Sequence, residues 1–347
     1  MTKQPACPTP ITDQPVIQIG HGSGGRMTNR LLSEVIFPGF QNSWLEQNHD
    51  GAVLEISEAR LAFTADSYVV EPRFFPGGDI GSLAVNGTVN DLAMCGARPK
   101  FLSCSFILEE GYAMEELTRV VQSMRAAADR AGVSIVTGDT KVVDRGSGDG
   151  LFVNTAGIGV IEHRLKISPQ SIQPGDAILL SGDLGRHGIT ILAEREGLEF
   201  ESSIESDCAP LWDVVDALLE ANIEVRCLRD LTRGGLATVL KEVADDSTFQ
   251  LRVEEEKIPV SDGVRGACEM LGLDPFFVAN EGTMIAIVPG DQVAAALAAM
   301  RAIPEAANSV QIGQVEEETN QRVILRSILG TDRVLDRLPG EQLPRIC

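Results

Sequence analysis

The 347-residue sequence predicts an α+β protein of two domains. Two observations carry this. Strand-like apolar alternation comes in consecutive runs, without strict strand–helix alternation in either half. The stretch SPQSIQPGD, residues 168–176, breaks the pattern with proline and glycine, and mixed strand and helix patterns resume beyond it. Four segments follow: a loose lead-in over 1–16, a first domain over 17–168, a second over 169–330, and a mobile tail over 331–347. Extended, that tail spans roughly 55 Å.

The elements read in order as follows. PVIQIG is a strand, GHGSGG a loop and RMTNRLLSEVIF a helix. AVLEIS and RLAFTADSYVV are paired strands, the second alternating at Leu61, Phe63 and Ala65. A helix runs from about Asp79 to Cys95, and KFLSCSFIL is a strand. Met114, Leu117, Val120, Val121 and Met124 keep helical spacing. VSIVTGDTKVV and LFVNTAGIGVI are strands. In the second half AILLSGD and FFVANEGTMIAIV are strands. Helices are marked by Leu211–Val214–Val215–Leu218, by Leu236–Val239–Leu240–Val243, and by DQVAAALAAM.

Composition removes several function classes. A formal charge of −21 argues against a nucleic-acid surface. No apolar run reaches the length of a membrane span, and the first fifteen residues lack the apolar core of a signal peptide. Seven scattered cysteines without a CxxC pair point away from a zinc or dithiol site and toward a reducing cytoplasm.

Acidic residues carry the strongest chemical signal. Asp66, Asp139, Asp183 and Asp230 each follow an apolar, strand-like run. Carboxylates so placed can converge on a magnesium–nucleotide crevice, or serve as ordinary turn and cap aspartates. Asp79, Asn86 and Asn90 fall on one stripe of a helix, with Asp91 one step round. Asn and Asp are poor helix formers, so the stripe is either a solvated face or a binding face. Arg233 precedes Gly234, Gly235 and a helix start, a suitable phosphate contact or a simple capped turn. Glu281 interrupts an apolar strand pattern, as an edge residue or an acid–base group. Lys141 follows Asp139. The loop satisfies G-x-G-x-x-G at Gly20, Gly22 and Gly25, but no acidic residue ends a second strand: Glu46 and Asp50 lie in a polar loop. A phosphate-wrapping loop is favoured over a dinucleotide fold. His21 and His187 have no spaced partner and receive no metal role.

The segments GHGSGG, FTADSYVV, FFPGGDIG, NGTVNDLAMCGARP, VTGDTKVV, RDLTRGGLA and VANEG, with a terminal PRIC, resemble the HypE family of carbamoyl dehydratases. These belong to the ATP-binding superfamily of aminoimidazole ribonucleotide synthetase, selenophosphate synthetase and thiamine-monophosphate kinase. The resemblance runs from about residue 17 to 347. It implies the two-domain synthetase-like fold, a homodimer formed through the first domain's sheet, and ATP with Mg2+ as cofactors. Asp66, Asp79, Asp91 and Asp139 become metal ligands. Gly22, Ser23, Gly24, Gly25, Asn90, Asp230 and Arg233 join Asp66 and Asp139 in holding nucleotide. Cys347 becomes the carrier of a carbamoyl group loaded by HypF, Glu281 the base that deprotonates it, and Lys141 a charge-neutralising or orienting group. The product thiocyanate supplies cyanide to a HypC–HypD complex for the iron of nickel–iron hydrogenase. A superfamily kinase or synthetase acting on a free small molecule, and a non-enzymatic scaffold, are the alternatives.

Overall fold

A computed structural model describes residues 25–36, 50–56, 59–198, 204–338 and 346–347. Gly22, Ser23 and Gly24, the PVIQIG strand and most of the last nine residues lie outside that set.

The first half is a five-stranded sheet with two helices on one face. Its strands are β1 (Ala52–Ile56), β2 (Ala59–Tyr68), β5 (Arg98–Glu109), β6 (Ser134–Val143) and β7 (Leu151–Val160), in the order β1-β2-β7-β5-β6. Only the β5–β6 pair is parallel. A two-stranded ribbon, β3 (Phe74–Phe75) and β4 (Gly78–Asp79), leads into the inner helix. The short helix α1 (Arg26–Leu31) precedes the sheet, and α2 (Ile80–Met94) and α3 (Met114–Ala131) cover it.

Nearly all of α2 is buried, which its small residues permit. At Gly87 a Cβ would fall 2.2 Å from the Tyr68 hydroxyl, so only glycine lets β2 lie this close to the helix. Alternation along β2 sends Ala62, Thr64 and Tyr68 inward against α2 and leaves Phe63, Ala65 and Ser67 on the outer face. Among the described residues no helix lies over that outer face. Phe63, Ile158 and Phe101 lie in one cross-strand row on it and are 44%, 40% and 50% exposed.

The second half is a seven-stranded sheet. Its strands are β8 (Ala177–Leu180), β9 (Cys227–Asp230), β10 (Gln250–Glu254), β11 (Met284–Val288), β12 (Val310–Glu316), β13 (Val323–Arg326) and β14 (Asp332–Leu335), ordered β14-β13-β10-β12-β8-β11-β9. Its helices are α4 (Arg186–Glu196), α5 (Trp212–Glu220), α6 (Gly235–Ser247), α7 (Asp262–Leu271) and α8 (Val293–Arg301). Its cores are dominated by Leu, Ile and Val from both sheet faces. Among the described residues no helix is long and apolar enough to cross a membrane.

Two expectations need correction. The FFVANEGTMIAIV strand is confined to its last five residues. Pro275–Phe277 form a 3-10 turn, and Glu281 sits in the bend before β11. The tail does not begin at 331: residues 332–335 pair antiparallel with β13 and bury Leu335, because their hydrogen bonds complete the sheet's edge.

Candidate active site

The two halves meet over a cavity of about 460 Å³. From the first half it is lined by Thr64, Asp66 and Tyr68 of β2, Asp91 of α2 and, before β1, Asp50. From the second it is lined by Asp230 at the end of β9, by Arg233, and by Glu281. Thr28 and Asn29 of α1 and the last residue, Cys347, complete it.

Like charge crowds this space. Burial pushes the Asp91 carboxyl well above its usual range, and Asp230, Asp66 and Asp50 push it further, against one hydrogen bond from the Thr64 hydroxyl at 2.7 Å. Burial, then Asp50, raises Asp230 to about 8, although Arg229 opposes this. Glu281 is 3% exposed. Burial, followed by Asp230, Asp207 and Asp66, holds it well above the normal carboxyl value despite Arg233. Its Oε1 has no hydrogen-bond partner among the described residues. All these donors are hard oxygens, and their mutual repulsion calls for a cation, so the set suits a divalent ion such as Mg2+. Among the described residues, no three His, Cys, Asp or Glu side chains stand close enough to share one ion directly. Phosphate oxygens or water would have to complete its shell.

Glu281 is held in place through its backbone. The Asp207 carboxylate accepts the Glu281 and Gly282 N–H groups at 3.1 and 3.0 Å and the Thr283 hydroxyl at 2.8 Å. A Cβ at position 282 would overlap the Asp207 carbonyl oxygen at 1.8 Å, so this bend requires glycine. Arg233 lies 3.7 Å from Asp66, and the neighbouring Cys347 when ionised, then Asp66 and Glu281, favour its charged form. The Cys347 thiol is itself pushed up to about 12 by burial, more than Arg233 can offset. Docked here, the sulfur is a neutral thiol.

The site expectations divide. Asp66, Asp91, Asp230, Arg233, Glu281 and Cys347 come together in the cavity, and Gly25 caps the helix whose residues line it. Asp79 does not. Its carboxylate caps α2, accepting the Gly81 and Ser82 N–H groups and the Ser123 hydroxyl, which leaves it committed outside the cavity. Asn90 is equally committed. It donates to the Ala209 and Glu281 carbonyls and accepts from the Leu211 N–H, stitching α2 to the second half. Asp139 and Lys141 pair with each other at 2.9 Å on the exposed outer side of β6. Asp139 stands opposite Ser105, then Asn154, then Ser67, three strand spacings or about 14 Å from β2, and on the face away from Asp66. Asp66 and Asp139 lie within strands, not at their ends. Asp183 pairs with Arg186 at a separate surface pocket.

Sequence reasoning passed over Asp50, Tyr68 and Asp207. Asp50 pairs with the buried Arg229 at 2.5 Å, 179 residues away. Arg229 in the middle of an apolar strand was the available signal, since a buried guanidinium requires a counter-ion.

The fold and cavity define a two-domain nucleotide-binding protein of the kind described as AIR synthase related. The N-terminal family profile of that name matches residues 48–161 and the C-terminal profile residues 173–326. Carbamoyl dehydratase HypE of Azotobacter vinelandii is 50% identical over 331 residues, covering 95% of this chain and 97% of that one. Carbamoyl dehydratase HypE of Escherichia coli K12 is 45% identical over 336 residues, covering 95% and 99%. Two similar solved structures are a HypE in complex with ATP (TM-score 0.80, 48% identity, 96% and 100% coverage) and a HypE–HypF complex (0.84, 43%, 89% and 99%). This chain belongs to the HypE family of carbamoyl dehydratases.

The crowded carboxyls have a pH signature. A carboxyl whose pKa is raised on folding binds its proton more tightly folded than unfolded. Stability therefore falls as pH climbs from the ordinary value of 3.8 toward about 8 for Asp230. Asp230→Asn is expected to remove up to about 1.4 kcal/mol per pH unit of that decline. Urea unfolding of the nucleotide-free protein at pH 6, 7 and 8 measures this. An unchanged slope would show that Asp230 is not protonated in the fold.

Proposed function

We propose that this chain uses ATP to dehydrate a carbamoyl group carried on its own Cys347 sulfur, yielding a thiocyanate that supplies cyanide to the iron of nickel–iron hydrogenase. The observation that carries the reading is that Cys347 lines the same cavity as Glu281, Asp66, Asp91 and Asp230. Membership of the HypE family, and the ATP complex of a relative, support it.

Direct loss of the carbamoyl oxygen is prohibitive because oxide is a very poor leaving group. Transfer of the γ-phosphoryl group to that oxygen, with loss of one N–H proton, gives an S–C(OPO3)=NH group. Departure of phosphate with loss of the second proton gives S–C≡N. Glu281 is the base for nitrogen. Its raised pKa makes the carboxylate a stronger base than an ordinary one, and its unpartnered Oε1 is available to the substrate. Arg233 is the cation beside the reacting group. Asp66 and Asp91, with phosphate oxygens and water completing the shell and Asp230 across the cavity, would hold Mg2+, which would neutralise charge on the transferred phosphoryl group when bound. Gly22, Ser23, Gly24 and Gly25 would offer backbone N–H groups to the phosphates.

Asp139 and Lys141 are too far from their own cavity to act in it. The apolar outer face that carries them supports a sheet-to-sheet homodimer in which they serve the partner copy. The division at residue 168 separates a nucleotide-binding half from the half that supplies Glu281 and Arg233. HypF would load the carbamoyl group, as the complex of a relative with HypF supports, and a HypC–HypD complex would accept the cyanide in the cytoplasm.

Mass spectrometry of the carboxyl-terminal peptide tests the reaction. After HypF-dependent loading, the peptide is expected to lose one water only when ATP is present, and Glu281→Gln to slow this at least about 100-fold. ATP turnover on a free small molecule with Cys347→Ala would defeat the reading. Trans action of Lys141 is tested by mixing. Neither Cys347→Ala nor Lys141→Ala chains should be active alone, whereas mixed dimers should regain activity at one of their two sites. No recovery would mean that Lys141 acts within its own chain or not at all.

A further inference from the structure

We propose that His187 is a positioning residue that latches the carboxyl-terminal dipeptide in the cavity. It is fully buried in the first turn of α4, edge-on to Phe75 with ring centroids 5.5 Å apart. Its Nε2 lies 2.5 Å from the Ile346 carbonyl oxygen. A carbonyl can only accept, so Nε2 carries the proton and Nδ1 must accept. The Ser206 hydroxyl meets Nδ1 at 2.8 Å, and its oxygen in turn accepts the Cys208 N–H at 3.1 Å. This chain fixes the tautomer that donates to the tail, and burial keeps the ring neutral.

Two further contacts complete the latch. The Ile346 side chain is 7% exposed, in a cluster drawn from both halves that includes Val70, Phe75, Ile191 and Ala279. The Val69 N–H donates to an oxygen of the Cys347 terminal carboxylate at 3.2 Å. The Ile346 carbonyl and the terminal carboxylate are thus each held once while an apolar side chain anchors them, which fixes where the sulfur points. His187 does not line the cavity, so its action is on the carrier and not on the chemistry. A neutral donor suits this task. One such bond shifts a docking equilibrium about tenfold, enough to favour the docked tail without trapping it. The latch matters for catalysis only on the reading that Cys347 carries the reacting group.

Alkylation of Cys347 by iodoacetamide, followed by mass spectrometry of its peptide, reads docking directly, because the docked thiol is half-buried and held in its unreactive neutral form. The Gln amide reaches the position of Nε2, whereas that of Asn reaches only Nδ1. His187→Asn is expected to alkylate about tenfold faster and, at saturating ATP, to dehydrate a loaded tail about tenfold more slowly, with ATP affinity unchanged. His187→Gln should stay near the wild type. Equal behaviour of the Asn, Gln and wild-type chains would overturn the latch. A second measurement serves if His187→Asn does not fold. The ring 15N spectrum of histidine-labelled full-length chain is compared with that of a chain ending at Arg345. The His187 Nε2–H signal should move or vanish on truncation, and an unchanged spectrum refutes the contact. Faster alkylation of His187→Asn without any ATP-dependent water loss in the wild type would leave the latch standing and remove the dehydration reading instead.

Discussion

Acid groups crowded into one cleft are the constraint on which the rest depends. Asp50, Asp66, Asp91 and Asp230 share the cavity with Glu281, and Arg229 and Arg233 only partly offset them. Such crowding is costly in a protein without ligands. It becomes favourable once a divalent cation and phosphate groups enter, because the repulsion is then relieved. Burial, reinforced by the same acidic field, raises the Glu281 carboxyl above its usual range and keeps the docked sulfur protonated. On the proposed reading, one electrostatic arrangement calls for metal–nucleotide and tunes Glu281 as the base beside it.

That arrangement survives only if the halves are fixed relative to each other. Asn90 ties α2 to the segments carrying Leu211 and Glu281, while Asp207 gathers the bend that aims Glu281. Both are buried polar groups with their hydrogen bonds made inside the protein, where leaving one unmade would cost about 1–3 kcal/mol. The tail enters the same seam. Ile346 packs into apolar residues of both halves, so the docked carrier and the interdomain contact share a core.

Much of this was legible in the sequence, and the failures have physical causes. Asp91, Asp230, Glu281 and Cys347 stood out because each is a polar or reactive group in a setting that argues against it. Asp79 looked the same as a ligand because a helix cap and a metal ligand both require an aspartate before an apolar helix. Asn90 satisfied its stripe but faces partners more than 100 residues away. Asp139 and Lys141 do not join their own cavity because the face a strand residue points to is set by register across four strands, which local pattern does not encode. His187, alone in its segment, met its partner 159 residues later.

The central claim is that the carbamoyl oxygen leaves as phosphate inside this cleft. Labelling that oxygen with 18O on the loaded Cys347, then allowing a single turnover with unlabelled ATP in unlabelled water, tests it most directly. The account requires the label to appear in inorganic phosphate, one atom per thiocyanate formed. Unlabelled phosphate, with the 18O released to water, would contradict it.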